Sequence, residues 1–247
     1  PAPGGVSIGH YAITAGTFGV IVRDLRTNEP LILSNNHVLA NSNDAKIGDA
    51  ILQPGPSDGG KKSRDKIAEL HRFEPMLFQG GGGGGGSDSD CPIAQFFTSI
   101  LNGAARLAGS KTQVRAEATN AVNSIDAAVA KPINSGVIID EIYELGMPNG
   151  TAEAEVGMKV KKSGRTTGLT NGEIIVLDTS IDVGYSGRTA RFEGQIMSYD
   201  MSDPGDSGSA LLDEQNRIVG LLFAGSDTAT FYNPIATVLS ILQAKIE

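Results

Sequence analysis

The residues with the types and spacing for chemistry stand at Pro204-Gly205-Asp206-Ser207-Gly208-Ser209, a serine set between glycines behind an acidic residue. Glycine permits a tight turn that brings the hydroxyl forward. It also lets backbone N–H groups converge beside that hydroxyl, where a developing negative charge can be met. Ser207 therefore reads as a nucleophile, although Gly, Asp, Ser and Pro also make ordinary turns and the string alone does not separate the two. A serine hydroxyl needs a base to take its proton, and at neutral pH that base is usually histidine. The chain has three. His10 lies near the start, and His71 sits among charged residues in Glu69-Leu70-His71-Arg72, as on a solvated surface. His37 follows the apolar run Leu31-Ile32-Leu33 and the polar Ser34-Asn35-Asn36, so a strand end is expected to deliver it into a short turn at the rim of a sheet. The third member of such a constellation is a carboxylate that holds the imidazole in one tautomer. Asp126 interrupts Ser124-Ile125-Asp126-Ala127-Ala128-Val129-Ala130, a run apolar enough for a buried strand, where a carboxylate is costly without a hydrogen-bonding partner. His37 would provide it.

Asn36-His37-Val38, Ser124-Ile125-Asp126 and Gly205-Asp206-Ser207-Gly208-Ser209 follow the chain order His, Asp, Ser, and in this the chain resembles the chymotrypsin-like (trypsin-like) serine peptidases. Lys162-Ser163-Gly164-Arg165-Thr166-Thr167-Gly168, followed by a strand, is similar to a segment of the bacterial alpha-lytic and streptogrisin-type members. The resemblance runs from about Gly16 to about Pro234 and lapses between Phe73 and Asn123. It implies a mainly β fold of two packed antiparallel β-barrels with the active site in the cleft between them. His37 and Asp126 fall in an N-terminal barrel (1–130), residues 131–157 connect the barrels, Ser207 falls in a C-terminal barrel (158–234), and a helix closes the chain (235–247).

The residues alone point to a β-rich chain. Gly19-Val20-Ile21-Val22 and Leu31-Ile32-Leu33 flank a turn at Asn28-Glu29-Pro30, Glu173 to Leu177 follow an expected Asn171-Gly172 turn, and Arg217 to Phe223 follow a turn at Asp213-Glu214-Gln215-Asn216. Ile235, Val238, Leu239, Ile241, Leu242 and Ile246 stand at near-helical spacing, which predicts a C-terminal helix packed on the second barrel. At 247 residues and 40% hydrophobic content the chain can bury a full core, and no stretch is long and apolar enough to span a bilayer, so no membrane partner is expected. A net charge of -8, with the Lys61, Lys62, Arg64, Lys66 cluster diluted by Asp58 and Asp65, disfavours a nucleic-acid partner. The single Cys91 excludes an internal disulfide and leaves cytoplasm and exterior both open. No Cys and His spacing suggests a metal, and no cofactor is expected.

Residues 79–123 are the chain's own addition. Seven glycines, Gly80 to Gly86, form a loose tether, and Pro92 opens an amphipathic pattern (Ile93, Phe96, Phe97, Ile100, Leu101, Ala104, Leu107) that predicts a helix over 92–108 ending at Gly109. Docking on the barrel's flank, a homo-oligomer interface and a lid over the cleft are its three open fates.

By the resemblance, the base of the specificity pocket falls at Met201 with Ser202 and Gly225 on its walls, and an uncharged thioether there implies cleavage after apolar residues. A slip of the alignment by a residue would instead bring Asp203 to the pocket and favour basic residues. The chain starts at Pro1, without the new amino terminus that activated digestive members bury, and the resemblance puts Arg165 in its place as the buried ion-pair partner of Asp206. Together these imply a serine endopeptidase acting on peptides or proteins. Ser207 would attack, His37 shuttle the proton, Asp126 orient His37, and the N–H groups of Gly205 and Ser207 meet the oxyanion. Two other classes stay open: a catalytically idle relative whose cleft binds peptides or serves assembly, and an esterase with the same triad.

Overall fold

The computed structural model describes residues 1–79 and 121–247; the glycine run at 80–86 and the helix expected over 92–108 lie outside the described residues. The described residues form two compact units. One holds Pro1–Met76, Asn123–Ile181 and Phe192–Glu247, and the other holds the described part of 77–122 with Asp182–Arg191.

The strands are β1 (Ala2–Gly4), β2 (Ser7–His10), β3 (Gly16–Thr17), β4 (Val20–Asp24), β5 (Pro30–Ser34), β6 (Ala50–Leu52), β7 (Lys66–Phe73), β8 (Val122–Asn123), β9 (Ala128–Pro132) and β10 (Ile138–Ile142). They continue with β11 (Lys159–Gly164), β12 (Gly168–Tyr185), β13 (Arg188–Tyr199), β14 (Ala210–Asp213), β15 (Ile218–Ser226), β16 (Ala229–Pro234) and β17 (Ala244–Lys245). An eight-stranded sheet runs β17-β4-β5-β9-β7-β6-β2-β3. A seven-stranded sheet runs β12-β11-β14-β15-β16-β13-β8, and a further β12–β13 pairing closes it on itself. The protein is mainly β, built on two barrel-like sheets.

Strand alternation explains why so many of these runs are apolar throughout. Val20, Val22, Leu31, Leu33 and Val129 face one way and pack with Ala210, Leu212, Ile218 and Leu221 of the second sheet. Their neighbours Ile32, Ala128 and Ala130 face the other way, into a core with Ile8, Phe18, Val38, Leu39 and Ile51. With both faces covered, period-two patterning places large apolar residues at every position. A third core inside the second sheet joins Val160, Ile174, Ile196, Leu211, Val219 and Tyr232.

Three local expectations differ from the structure. Asn171 and Gly172 make no turn; they lie inside β12, opposite Lys161 and Val160. Gly172 is there for packing, since a Cβ would come within 2.7 Å of the Met201 sulfur. The closing helix, α2 (Ile235–Ile241), is shorter than the expected 235–247. Gln243 turns the chain with φ +48° and β17 pairs with β4 of the first sheet, so Ile235, Val238, Leu242 and Ala244 fill the core shared by both sheets. His37 sits not in a bare turn but in a four-residue helix, α1 (Asn36–Leu39).

In the second unit, Gln79 N–H donates to Thr189 O at 2.7 Å. The Phe78 ring there meets Tyr185 edge-on at 6.1 Å and lies 4.1 Å beneath the Arg188 guanidinium.

Candidate active site

Helix α1 begins where β5 ends. Val38 and Leu39 N–H both return to Asn35 O, at 3.2 and 2.9 Å, and the two apolar side chains sink into the core with Ile8, Phe18 and Ile51, leaving the His37 ring partly exposed. The helix is too short to stand alone, and amides hold it. Asn36 Nδ2 donates to Asn43 Oδ1 and Glu74 O, both at 2.7 Å, while Asn36 Oδ1 accepts from Asn43 N at 3.1 Å.

Asp126 is fully buried just ahead of β9 rather than within a strand. Its Oδ2 lies 2.5 Å from His37 Nδ1, and its Oδ1 accepts the His37 backbone N–H at 3.2 Å. An ionised carboxylate only accepts, so in this pair Nδ1 is the donor. The Asp126 main chain is fixed as tightly: Asn35 Nδ2 donates to its O at 2.8 Å, and its N–H donates to Asn233 Oδ1 at 3.0 Å. Asn233 Nδ2 donates in turn to Gln195 Oε1 at 2.7 Å, and Gln195 Nε2 to Ser124 O at 2.9 Å.

Ser207 lies in the turn between β13 and β14, where Gly205 and Gly208 take φ of +107° and +98°, in the left-handed region that favours glycine. A trans peptide points its C=O and N–H in opposite directions, so anchoring a carbonyl aims the N–H that follows it. Pro204 O accepts the Thr166 hydroxyl at 2.8 Å, which aims Gly205 N–H. Asp206 O accepts Ser209 N–H at 3.0 Å and its hydroxyl at 2.6 Å, which aims Ser207 N–H. Among the described residues no acceptor takes either of these N–H groups, whereas Asp206 N–H and Gly208 N–H are spent on Asp203 O and Leu222 O. Thr17 joins this loop to the first sheet: its hydroxyl donates to Gly205 O at 2.9 Å and its N–H to Ser207 O at 2.8 Å. A Cβ on the neighbouring Gly16 would strike Val38 on one side and come within 3.0 Å of Ser207 O on the other. The helix carrying His37 and the loop carrying Ser207 thus close on one glycine.

The Asp206 carboxylate points inward, but its cation is not the expected one. Lys162 Nζ lies 3.0 Å from Asp206 Oδ2, and both side chains are fully buried. Thr167 Oγ1 (2.6 Å) and Asp203 N (3.0 Å) also donate to Oδ2, and Thr166 N (2.8 Å) and Thr167 N (3.2 Å) to Oδ1. Burial alone would raise the Asp206 pKa; the Thr167 hydroxyl, the backbone N–H groups and the Lys162 charge outweigh it and hold the carboxyl below its ordinary range. Burial lowers the Lys162 pKa, opposed by Asp206. The expected Arg165–Asp206 ion pair is absent. Arg165 follows β11 in the turn toward β12, and its partly exposed guanidinium donates to both oxygens of Asp58, from Nε and Nη2 at 2.6 Å each.

Met201 does not form the floor of a pocket either. It is buried in the third core with Val160, Ile174 and Ile196, and the reason for an apolar preference falls with it. Ser202 and Gly225 do line a cavity of 190 Å³ that opens at Ser207. Of the other histidines, His10 is buried with Nε2 3.2 Å from Asp49 Oδ2, and His71 is partly buried on β7. Among the described residues no group of three His, Cys, Asp or Glu could hold a metal ion.

Two barrel-like sheets with a partly exposed histidine on a buried aspartate in one and a glycine-flanked serine loop on the other define the chymotrypsin-like class of fold. The chain belongs to the family of the trypsin-like peptidase domain, whose model matches residues 16–221. It is similar to streptogrisin-A of Streptomyces griseus, with 26% identity over 238 residues that cover 87% of this chain and 74% of that protein. Among solved structures, alpha-lytic protease homolog N4 superposes with a TM-score of 0.61 at 15% identity, covering 100% of this chain and 99% of that one. The Nocardiopsis protease NAPase does so at 0.60 and 16%, covering 99% and 98%. At these identities the two structures speak to the fold.

Proposed function

We propose that the protein is a serine endopeptidase that hydrolyses peptide bonds through an acyl-enzyme. His37 Nε2 takes the Ser207 proton as the hydroxyl oxygen attacks the scissile carbonyl, and Asp126 holds the imidazolium that forms. The N–H groups of Gly205 and Ser207 receive the oxyanion. His37 then passes the proton to the leaving amine, and water, activated by the same imidazole, releases the acid and restores Ser207. The observation that carries this reading is the 2.5 Å contact between His37 Nδ1 and Asp126 Oδ2, which orients the imidazole as such a triad requires. The two N–H groups without an internal acceptor support it.

A fluorophosphonate is expected to label the wild-type chain but not Ser207→Ala. Ser207→Ala and His37→Ala are each expected to cut peptide hydrolysis by about 10⁴-fold or more with folding intact, and the double variant by little more, because the members act as a unit. Absence of labelling in the wild type would return the chain to the class of idle, peptide-binding relatives. Labelling with cleavage of esters but not peptides would make it an esterase.

A further inference from the structure

The loop that carries Ser207 is two β-turns in series. In Asp203-Pro204-Gly205-Asp206 the last N–H returns to Asp203 O at 3.0 Å, and in Asp206-Ser207-Gly208-Ser209 the last N–H returns to Asp206 O, also at 3.0 Å. Gly205 and Gly208, third in each turn, take φ of +107° and +98°, which makes both turns type II. A type II turn becomes type I when its middle peptide rotates by half a revolution, and the closing hydrogen bond survives the change. Proline suits the second position of either type, and glycine suits the third. Each middle peptide is therefore a two-position element, fixed by the bonds it makes outside its turn. Ser207–Gly208 is held at both ends: Ser207 O accepts Thr17 N–H, and Gly208 N–H donates to Leu222 O, each at 2.8 Å. Pro204–Gly205 is held at one. Among the described residues its N–H has no acceptor, and its carbonyl accepts only the Thr166 hydroxyl, at 2.8 Å. Thr166 is exposed, and Arg165 Nη1 donates to the same hydroxyl oxygen at 3.2 Å, which turns the hydroxyl proton toward Pro204 O.

Resting on the peptidase reading, we infer that Thr166 is a positioning residue, whose hydroxyl keeps the Pro204–Gly205 peptide in the orientation that offers Gly205 N–H to the oxyanion. In the rotated turn the carbonyl oxygen takes the place of that N–H, and a dipole that would stabilise the developing charge repels it. The Thr166 hydroxyl would then face N–H donors from both Arg165 and Gly205 and would no longer have Pro204 O to donate to, so it favours the first orientation. A chain divided between the two turns loses activity in proportion to its rotated fraction. The other oxyanion donor, Ser207 N–H, does not depend on a single exposed bond, because Ser209 holds Asp206 O with both its N–H and its hydroxyl.

The test compares Thr166→Val, which keeps the side-chain shape and loses the hydroxyl, with Thr166→Ser, which keeps the hydroxyl. Neither change removes the main-chain bond from Thr166 N–H to Asp206 Oδ1, so the ion pair behind the loop stays as it is. In Thr166→Val, kcat/KM for a peptide substrate, the rate of fluorophosphonate labelling and the affinity of a peptide boronate, whose adduct with Ser207 is tetrahedral and anionic, are each expected to fall about threefold to tenfold, the worth of one neutral hydrogen bond. Affinity for the same peptide without its boronate group is expected to be unchanged, and Thr166→Ser is expected to match the wild type throughout. The ratio of the two affinities does not depend on how much of a preparation is folded. An unchanged ratio in Thr166→Val, with the wild type labelling and cleaving, overturns the role given to Thr166 and leaves the peptidase reading standing. A ratio that falls equally in Thr166→Ser also overturns it, because the hydroxyl is then not what matters. A wild-type chain that neither labels nor cleaves overturns the peptidase reading and this role with it.

Discussion

His37 and Asp126 are held by uncharged amides, whereas Ser207 is held by a buried ion pair ringed with hydroxyls. On the first side Asn35, Asn36, Asn43, Asn233 and Gln195 exchange hydrogen bonds with main chain and with one another. On the second, Lys162 and Asp206 meet in a cage completed by Thr166 and Thr167. Amides fix geometry at any pH and each donor costs little to lose. The ion pair needs both charges, and losing either leaves the other stranded in a dry interior. The two sides are therefore expected to fail differently.

The largest difference is expected from Lys162→Met, which leaves the Asp206 carboxylate buried without its cation and should cost about 3–5 kcal/mol. Denaturant unfolding measures it, and pairing the change with Asp206→Asn is expected to recover much of the loss; no recovery would show that packing, not charge, is at stake. Acid gives the next effect. The Asp206 pKa is depressed on folding, and so is that of Asp24, by the N–H groups of Thr27 and Arg26 and by Arg72. Their contribution is full above the ordinary carboxylate range, near 4, and is lost as pH falls through the lower folded values. A urea midpoint followed downward from pH 5 is expected to fall below about pH 4, and less steeply in the Lys162→Met, Asp206→Asn double variant, where one of these carboxylates is gone. Breaking the amide side costs less: Asn233→Leu leaves Asp126 N–H and Gln195 Oε1 without partners, for about 1–3 kcal/mol with no change in acid dependence. The smallest effect is expected from Arg165→Ala, because a partly exposed pair with Asp58 is worth under about 1 kcal/mol; thermal unfolding and turnover read it together.

The same contrast marks what the sequence makes legible. Ser207, His37 and Asp126 stand out because their types, neighbours and order carry meaning without coordinates. The cation for Asp206 could also have been read, by strand alternation instead of motif matching: Lys162 is two residues beyond Val160 and so shares its inward face, whereas Arg165 lies past the end of β11. Asn171-Gly172 carries turn composition, yet pairing with β11 keeps it extended and the Met201 sulfur dictates the glycine. Met201 looked like a pocket floor only by its distance from Ser207 along the chain. Asn233 and Gln195 had no such signal, because their strands carry other polar residues (Thr230 in β16; Arg191, Glu193 and Ser198 in β13) and nothing local says which partner such an amide meets. The apolar spacing after Pro234 is helical as expected until Ile241, and the edge of β4, invisible from the sequence of the tail, recruits the rest.

That recruitment has a consequence for how the chain comes together. Ala244 and Lys245 pair with Asp24 and Arg23, and Arg72 Nε reaches Leu242 O at 2.7 Å, so the first sheet is finished by residues that lie beyond Ser207 in the chain. Contacts between such distant segments carry a large loop-closure cost and form slowly. The sheet that presents His37 therefore cannot cover its β4 edge until the segment that presents Ser207 has also been made.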